Sequence, residues 1–297
     1  MLIDTIEKLR ESLLQIQEDL GIIDLFHNDD DDDDDDNTTT SNIVDSSDYN
    51  LSSKWNCNNC LFCDYEGVNL SRDGKICTGQ FSTTKNTYIW DILVIGENAF
   101  HEKINNISMK DILESKKIIK ILFDPRADCD ALFYQYTIQM NNVLCIQLME
   151  IANRRMNGIE ATYNRGLVSI INGYDDIKNI ISYYYFKNDE IDNDNEYLLN
   201  NILDIKNKGK DIFKEDMAIW EKRPMNDDLL KYSLLDVKVL IPIYDYFFKK
   251  ITKTNDYWLK LVIFVYTIEI KSELEQSLII GCDTNKASAS KDTNIPL

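Results

Sequence analysis

The sequence predicts an α/β domain in which a mixed β-sheet is flanked by helices, and three observations carry that prediction. Three segments rich in β-branched and aromatic residues follow one another between Cys60 and Val94, each bounded by turn formers. Strand-like and helix-like patterns then alternate, with Ile118–Phe123 and Asn142–Cys145 on either side of a helical stretch. At 297 residues and 44% hydrophobic content, the chain is long enough to bury a full core.

Taken in order, residues 2–20 read as an amphipathic helix. Ile3, Ile6, Leu9, Leu13, Ile16 and Leu20 recur at helical spacing, Asp4 and Glu7 suit a capping box, and Gly21 suits the stop. This N-terminal helix, residues 1–26, is expected to pack on the main domain. Residues 27–55 are rich in Asp, Asn, Ser and Thr and cannot bury enough apolar surface to order themselves, so they read as a disordered acidic linker.

The main domain is expected over 56–250. The apolar run Cys60–Cys63 opens a strand, and Lys75–Thr83 and Thr87–Val94 continue it as an antiparallel meander. Met109–Leu113 reads as a short helix and Ile118–Phe123 as a buried strand. Asp124-Pro125 signals a helix start, with Asp as N-cap and Pro at the first helical position. Asn142–Cys145 reads as a strand, helical patterns run to about Tyr185, and Phe186–Lys210 reads as a polar insertion. One strong helix is expected from Asn226 to about Lys250. Residues 251–281 form a further apolar-rich helical segment, and 282–297 a disordered tail.

The net charge of −19 is unusual, and eight of those charges come from Asp29–Asp36. No Lys/Arg-rich block offsets them, which argues against a generic electrostatic nucleic-acid binder. Seven unevenly spaced cysteines do not form a disulfide framework. No apolar segment preceded by a basic one opens the chain, and the longest apolar run, Leu261–Ile268, is too short to span a bilayer. An intracellular protein of the cytoplasm or nucleus is expected, neither secreted nor membrane-bound. Cys57, Cys60 and Cys63 have metal-like spacing, but a structural zinc needs four ligands and only Cys77 is near enough to be the fourth, so buried thiols are the better reading.

Chemistry concentrates elsewhere. Asp64 and Glu66 stand two apart in a strand and so share a face, and paired acids at the end of a buried strand are costly without a cation between them. Hard oxygen ligands suit Mg²⁺ or Mn²⁺. Tyr232 and Asp236 stand four apart on a helix and also share a face, with Lys238 off it, so Asp236 has no obvious partner on its own helix. The only histidines, His27 and His101, precede Asp128, leaving no parts for Ser-His-Asp chemistry.

Asp64-x-Glu66, Arg126-Ala127-Asp128 and Tyr232-x-x-x-Asp236, in that order, resemble the three motifs of DEDD-type 3′–5′ exonucleases of the tyrosine subclass. That subclass includes ribonuclease D and the Werner-syndrome exonuclease domain. Flanking residues Glu66-Gly67-Val68-Asn69-Leu70-Ser71-Arg72 and Trp220-x-x-Arg223-Pro224 are similar to the Egalitarian-like branch. Departures stand at Phe123, Cys145 and Met225, where relatives carry His, Asp and Leu.

The resemblance implies a ribonuclease H-like exonuclease fold and removal of nucleoside 5′-monophosphates from the 3′ end of single-stranded nucleic acid, with RNA slightly favoured over DNA. It implies two Mg²⁺ or Mn²⁺ ions, with Asp64 bridging both, Glu66 and Asp236 completing the first site and Asp128 holding the second. Tyr232 would orient the attacking water, and Gly67, Val68, Asn69, Arg126, Trp220 and Arg223 would contact substrate. A catalytically weak RNA-binding adaptor on the same fold is the alternative, because fold does not imply activity.

Overall fold

The computed structural model describes residues 1–22, 59–186 and 195–254. The chain enters through a two-residue strand, β1 (Leu2–Ile3), and then helix α1 (Ile6–Asp19). The α1 N-cap is Thr5, whose Oγ1 accepts from the Lys8 amide at 3.3 Å. Asp4, expected to cap, instead pairs with Lys8 one turn on. The correction has a local cause: β1 holds Leu2 and Ile3 extended beside Ile89 and Trp90, which moves the helix start one residue later. Leu9, Leu13 and Ile16 bury the apolar stripe of α1.

Three strands follow, β2 (Cys60–Val68), β3 (Lys75–Ser82) and β4 (Thr87–Trp90), paired antiparallel as a meander. The third is shorter than expected. Asp91 turns the chain by accepting from the Val94 amide, and a short helix α2 (Ile92–Ile95) takes the residues read as strand. Helix α3 (Asn98–His101), a small hairpin of β5 (Lys103–Ile104) and β6 (Ile107–Ser108), and α4 (Met109–Glu114) lead to β7 (Ile119–Leu122).

Helix α5 spans Arg126–Tyr136, with Pro125 and not Asp124 at the N-cap position and no side-chain cap there. Asp124 has φ +53°, a conformation a short polar residue tolerates, and so it cannot supply the extended cap geometry. Strand β8 (Val143–Cys145) runs straight into α6 (Ile146–Met156), followed by α7 (Leu167–Gly173) and α8 (Asp175–Phe186). The stretch read as a polar insertion instead gives most of a 21-residue helix, α9 (Asn195–Glu215), which runs past its end. A 3₁₀ turn (Met217–Glu221) precedes α10 (Asp227–Lys238) and α11 (Leu240–Thr254). One long helix was expected there. Pro242 has no amide to donate, so it is accommodated in the first turn of a new helix and the chain breaks before it.

The six-stranded sheet has the order β1-β4-β3-β2-β7-β8, with β2 parallel to β7, β7 to β8, and β1 to β4. It is therefore mixed, with helices packed against it. Residues 27–55, most of the 251–281 segment and the 282–297 tail lie outside the described residues, as does Cys57. Cys60 and Cys63 are buried on β2 and, three apart, point to opposite faces of the sheet, so they do not share one ion. No helix among the described residues is long and apolar enough to cross a membrane.

Candidate active site

Strand β2 carries its two acids on one face while Cys63 and Tyr65 fill the core on the other. Across the strand pair Asp64 faces Gln80 and Glu66 faces Thr78, neutral neighbours that supply no countercharge. The register shifts between Glu66 and Gly67, and glycine is required there. A Cβ on Gly67 would lie 1.9 Å from the Lys75 carbonyl oxygen.

Helix α10 packs against β2, β3 and β4 and brings Asp236 to the two strand acids. Ligand oxygens of Asp64, Glu66 and Asp236 lie within 4.8 Å of one another. Tyr232, one turn earlier, packs edge-on against Phe213 and beside Trp220. These rings, with Cys77 and Leu229, form an apolar cluster separate from the main core. Asp64, Glu66, Tyr232 and Asp236 line one cavity of about 690 Å³.

Helix α9 closes the cavity on one side. A Cβ on Gly209 would lie 2.2 Å from Tyr232 Cδ2, so the bare glycine lets the ring rest on the helix backbone. Lys206 and Lys210 precede and follow Gly209 in the chain and line the cavity. The buried Lys206 ammonium pairs with Asp236 Oδ1 and lies 3.7 Å from the centroid of the Tyr232 ring. Asp236 thus has a partner after all, on a different helix. Leu167, Ser169 and Asn172 of α7 belong to another part of the lining.

Burial and crowding set the protonation of the site. Burial first, then Asp236, Glu66 and Asp128, push the Asp64 carboxyl well above its usual range, with Lys206 opposing. Glu66 is raised by burial and by Asp236, and Asp236 by burial against the pull of Lys206. Asp128 is pushed up to about 8 by burial and by Asp124. The Tyr232 phenol is raised by burial, Asp236, Glu66 and Asp64, so it keeps its proton at neutral pH.

One atom tests whether a cation fits this site. Asp236 Oδ2 is buried with no hydrogen-bond partner, beside two further carboxylates. Buried acceptors are almost always satisfied, and an all-oxygen cluster is the donor set that hard divalent cations take. The residues present fit such an ion.

A pH dependence follows for protein kept free of metal. Asp128 binds its proton more tightly folded than unfolded, so the folded state holds more protons between 3.8 and about 8. Its contribution to stability is full below 3.8 and is lost as the pH rises through about 8. Thermal melts in EDTA should give a lower Tm at pH 8 than at pH 6, and Mn²⁺ should narrow the difference. Equal melting points at both pH values would contradict a cluster of buried acids.

The remaining expected site residues are placed differently. Asp128 is buried on α5, and its charge reaches Asp64 and Glu66, but it is neither in the group within 4.8 Å nor in the cavity lining. None of the six expected substrate contacts lines the cavity. Gly67 serves the bulge and Val68 packs on the Trp220 cluster. Asn69 turns the chain at φ +47°. Arg126 forks onto Asp124 at 2.6 and 2.8 Å. Trp220 is buried under Tyr232, and Arg223 forks onto Asp91 while donating to the Trp220 carbonyl at 2.8 Å. Lys206, Gly209 and Lys210 escaped the sequence reading. The signal was the spacing of Ile202, Ile205, Gly209 and Ile212, which follows a helical face through a polar stretch.

A mixed sheet bearing two acids on a central strand, faced by a helix bearing a tyrosine and a third acid, defines the ribonuclease H-like exonuclease fold. The chain belongs to the 3′–5′ exonuclease family, whose family model matches residues 45–252. Human piRNA biogenesis protein EXD1 is 29% identical over 191 residues, covering 62% of this chain and 31% of that protein. The mouse protein of the same name is 29% identical over 184 residues, covering 60% and 27%. The chain therefore spans about a third or less of the length of these curated relatives. Escherichia coli RNase D, an exoribonuclease involved in structured RNA processing, shares the fold with a TM-score of 0.52 at 13% identity, over 92% of this chain and 50% of that one.

Proposed function

We propose that the protein is a metal-dependent 3′–5′ exonuclease of the tyrosine subclass that releases nucleoside 5′-monophosphates from the 3′ end of single-stranded nucleic acid. The observation that carries this reading is the convergence of Asp64, Glu66 and Asp236 within 4.8 Å, with one Asp236 oxygen buried and unpartnered. Asp64, Glu66 and Asp236 would hold one Mg²⁺ or Mn²⁺, and Asp128 would help hold a second, directly or through water. Two such ions, when bound, stabilise charge on the attacking and leaving oxygens of a phosphodiester.

The chain's own residues do the rest. Tyr232 stays protonated and offers a hydroxyl beside the acids, suited to orienting the attacking water. Phe213 and Trp220 hold its ring, and Gly209 lets it seat against α9. RNA is favoured over DNA, a preference supported by the piRNA biogenesis proteins among the relatives. The five described cysteines are buried thiols, which supports a reducing compartment, cytoplasm or nucleus.

A second reading, an RNA-binding adaptor with little turnover, is favoured by one observation. An ammonium already sits on Asp236 and offsets part of the charge that would draw a cation. Incubating 5′-labelled single-stranded RNA and DNA with the protein separates the two readings. Stepwise shortening from the 3′ end in Mn²⁺ and none in EDTA is the expected result. Binding without shortening would decide for the adaptor.

A further inference from the structure

The two lysines of the cavity are in different states. They stand one turn apart on α9 and so face the same way. Lys206 is 4% exposed and engaged by Asp236. Lys210 is half-buried, lines the same cavity, and makes no hydrogen bond or ion pair with the described residues, although its charge acts on Asp236. Among the described residues, no other cationic side chain lines this cavity.

Position explains why Lys210 reaches the site. Gly209 brings the α9 backbone against the Tyr232 ring, so the next residue is drawn to the rim of the carboxylate cluster. A polyanion approaching a chain of net charge −19 meets a net repulsion at long range. Among the described residues, Lys210 is the one ammonium of this cavity outside an ion pair, and it offers such a ligand a local attraction. A flexible, strongly hydrated ammonium suits a phosphate oxygen, which it meets as a point charge.

Resting on the exonuclease reading, we propose that Lys210 binds a backbone phosphate of the nucleic-acid strand seated over Asp64, Glu66 and Asp236. Lys206 keeps its place on Asp236, and Lys210 is the residue that engages substrate. It sets affinity more than the chemical step, because its contact is present before and during the reaction.

The test compares Lys210→Ala, Lys210→Arg and Lys208→Ala in the full chain. Lys208 is exposed on the same helix and absent from the cavity lining, so it controls for loss of charge alone. Binding of single-stranded RNA is measured by anisotropy in Ca²⁺ over a salt series, and cleavage in Mn²⁺. Lys210→Ala should weaken binding about tenfold or more, as expected for a lost charge-assisted contact, and raise KM with kcat little changed. Its slope of log K against log salt should fall by about 0.7, the value for one single-strand phosphate contact. Lys210→Arg should restore binding, and Lys208→Ala should match wild type.

Unchanged binding in Lys210→Ala, or an equal loss in Lys208→Ala, would overturn the assignment while leaving the exonuclease reading standing. A wild-type chain that binds but does not cleave would sink the exonuclease reading and leave Lys210 to be decided by binding alone. A wild-type chain that binds no RNA would overturn both.

Discussion

Asp64→Asn should abolish nucleotide release while RNA binding in Ca²⁺ survives or falls only modestly. Asp64 sits at the meeting point of the site, where burial and the charges of Asp236, Glu66 and Asp128 all act on it. The amide keeps the shape and removes the charge that a divalent cation needs. One lost preorganised electrostatic contact costs roughly 10²–10³-fold in rate. Asp64 is proposed to hold the cation directly, so the loss of its carboxylate should exceed about 10³-fold on the same scale. Tyr232→Phe should fall within that single-contact range, since it removes one hydroxyl and leaves every carboxylate in place. Measured single-turnover rates in Mn²⁺ decide the matter. An Asp64→Asn protein that cleaves within tenfold of wild type would show that the chemistry lies elsewhere.

The legibility of this site follows the range of the interactions that build it. The pairing of Asp64 with Glu66 is a period-two fact and that of Tyr232 with Asp236 a period-four fact, so both can be read from spacing alone. The meander between β2 and β4 was legible for the same reason: short strands, short turns and β-branched residues. Convergence of the two pairs is tertiary, and only the order of the motifs hinted at it. Arg223 shows the limit. Its guanidinium meets Asp91 across 132 residues, a contact no local pattern discloses, and the arginine serves the scaffold instead of lining the cavity. Helix α9 was hidden by composition. Its charged residues outweigh a thin apolar stripe, and the stripe is enough because it packs beside α8 and α10.

Arg154→Ala should destabilise the protein by up to about 3–5 kcal/mol, the cost of removing one member of a buried ion pair, because the Arg165 that remains beside Glu150 is partly exposed. Glu150 and Arg154 are 0% and 1% exposed and joined at 2.8 Å. Arg154 also donates to the Tyr163 carbonyl at 2.7 Å, tying the segment after α6 back to that helix. Tyr174 donates its hydroxyl to Glu150 at 2.9 Å, and Arg165 lies 3.3 Å away. The alanine variant strands the Glu150 carboxylate with only these two and leaves the carbonyl of Tyr163 unpaired. Against a typical domain stability of about 5–15 kcal/mol, that loss is large. Urea unfolding should show it as a lower midpoint with an unchanged slope. The same tether leads directly to Gly166, Leu167 and Ser169, which line the cavity, so substrate affinity should fall in parallel. Replacing both partners, Glu150→Leu with Arg154→Met, separates the two effects. Stability should recover part of the loss, because the buried carboxylate is gone, while the Tyr174 hydroxyl and the Glu160 and Tyr163 carbonyls still lack their partners. Affinity for RNA should stay low, because the side chain that fastens the Glu160 and Tyr163 carbonyls to α6 is then gone. A double variant that recovered both would mean that the ion pair supports the core alone and contributes nothing to the wall of the site.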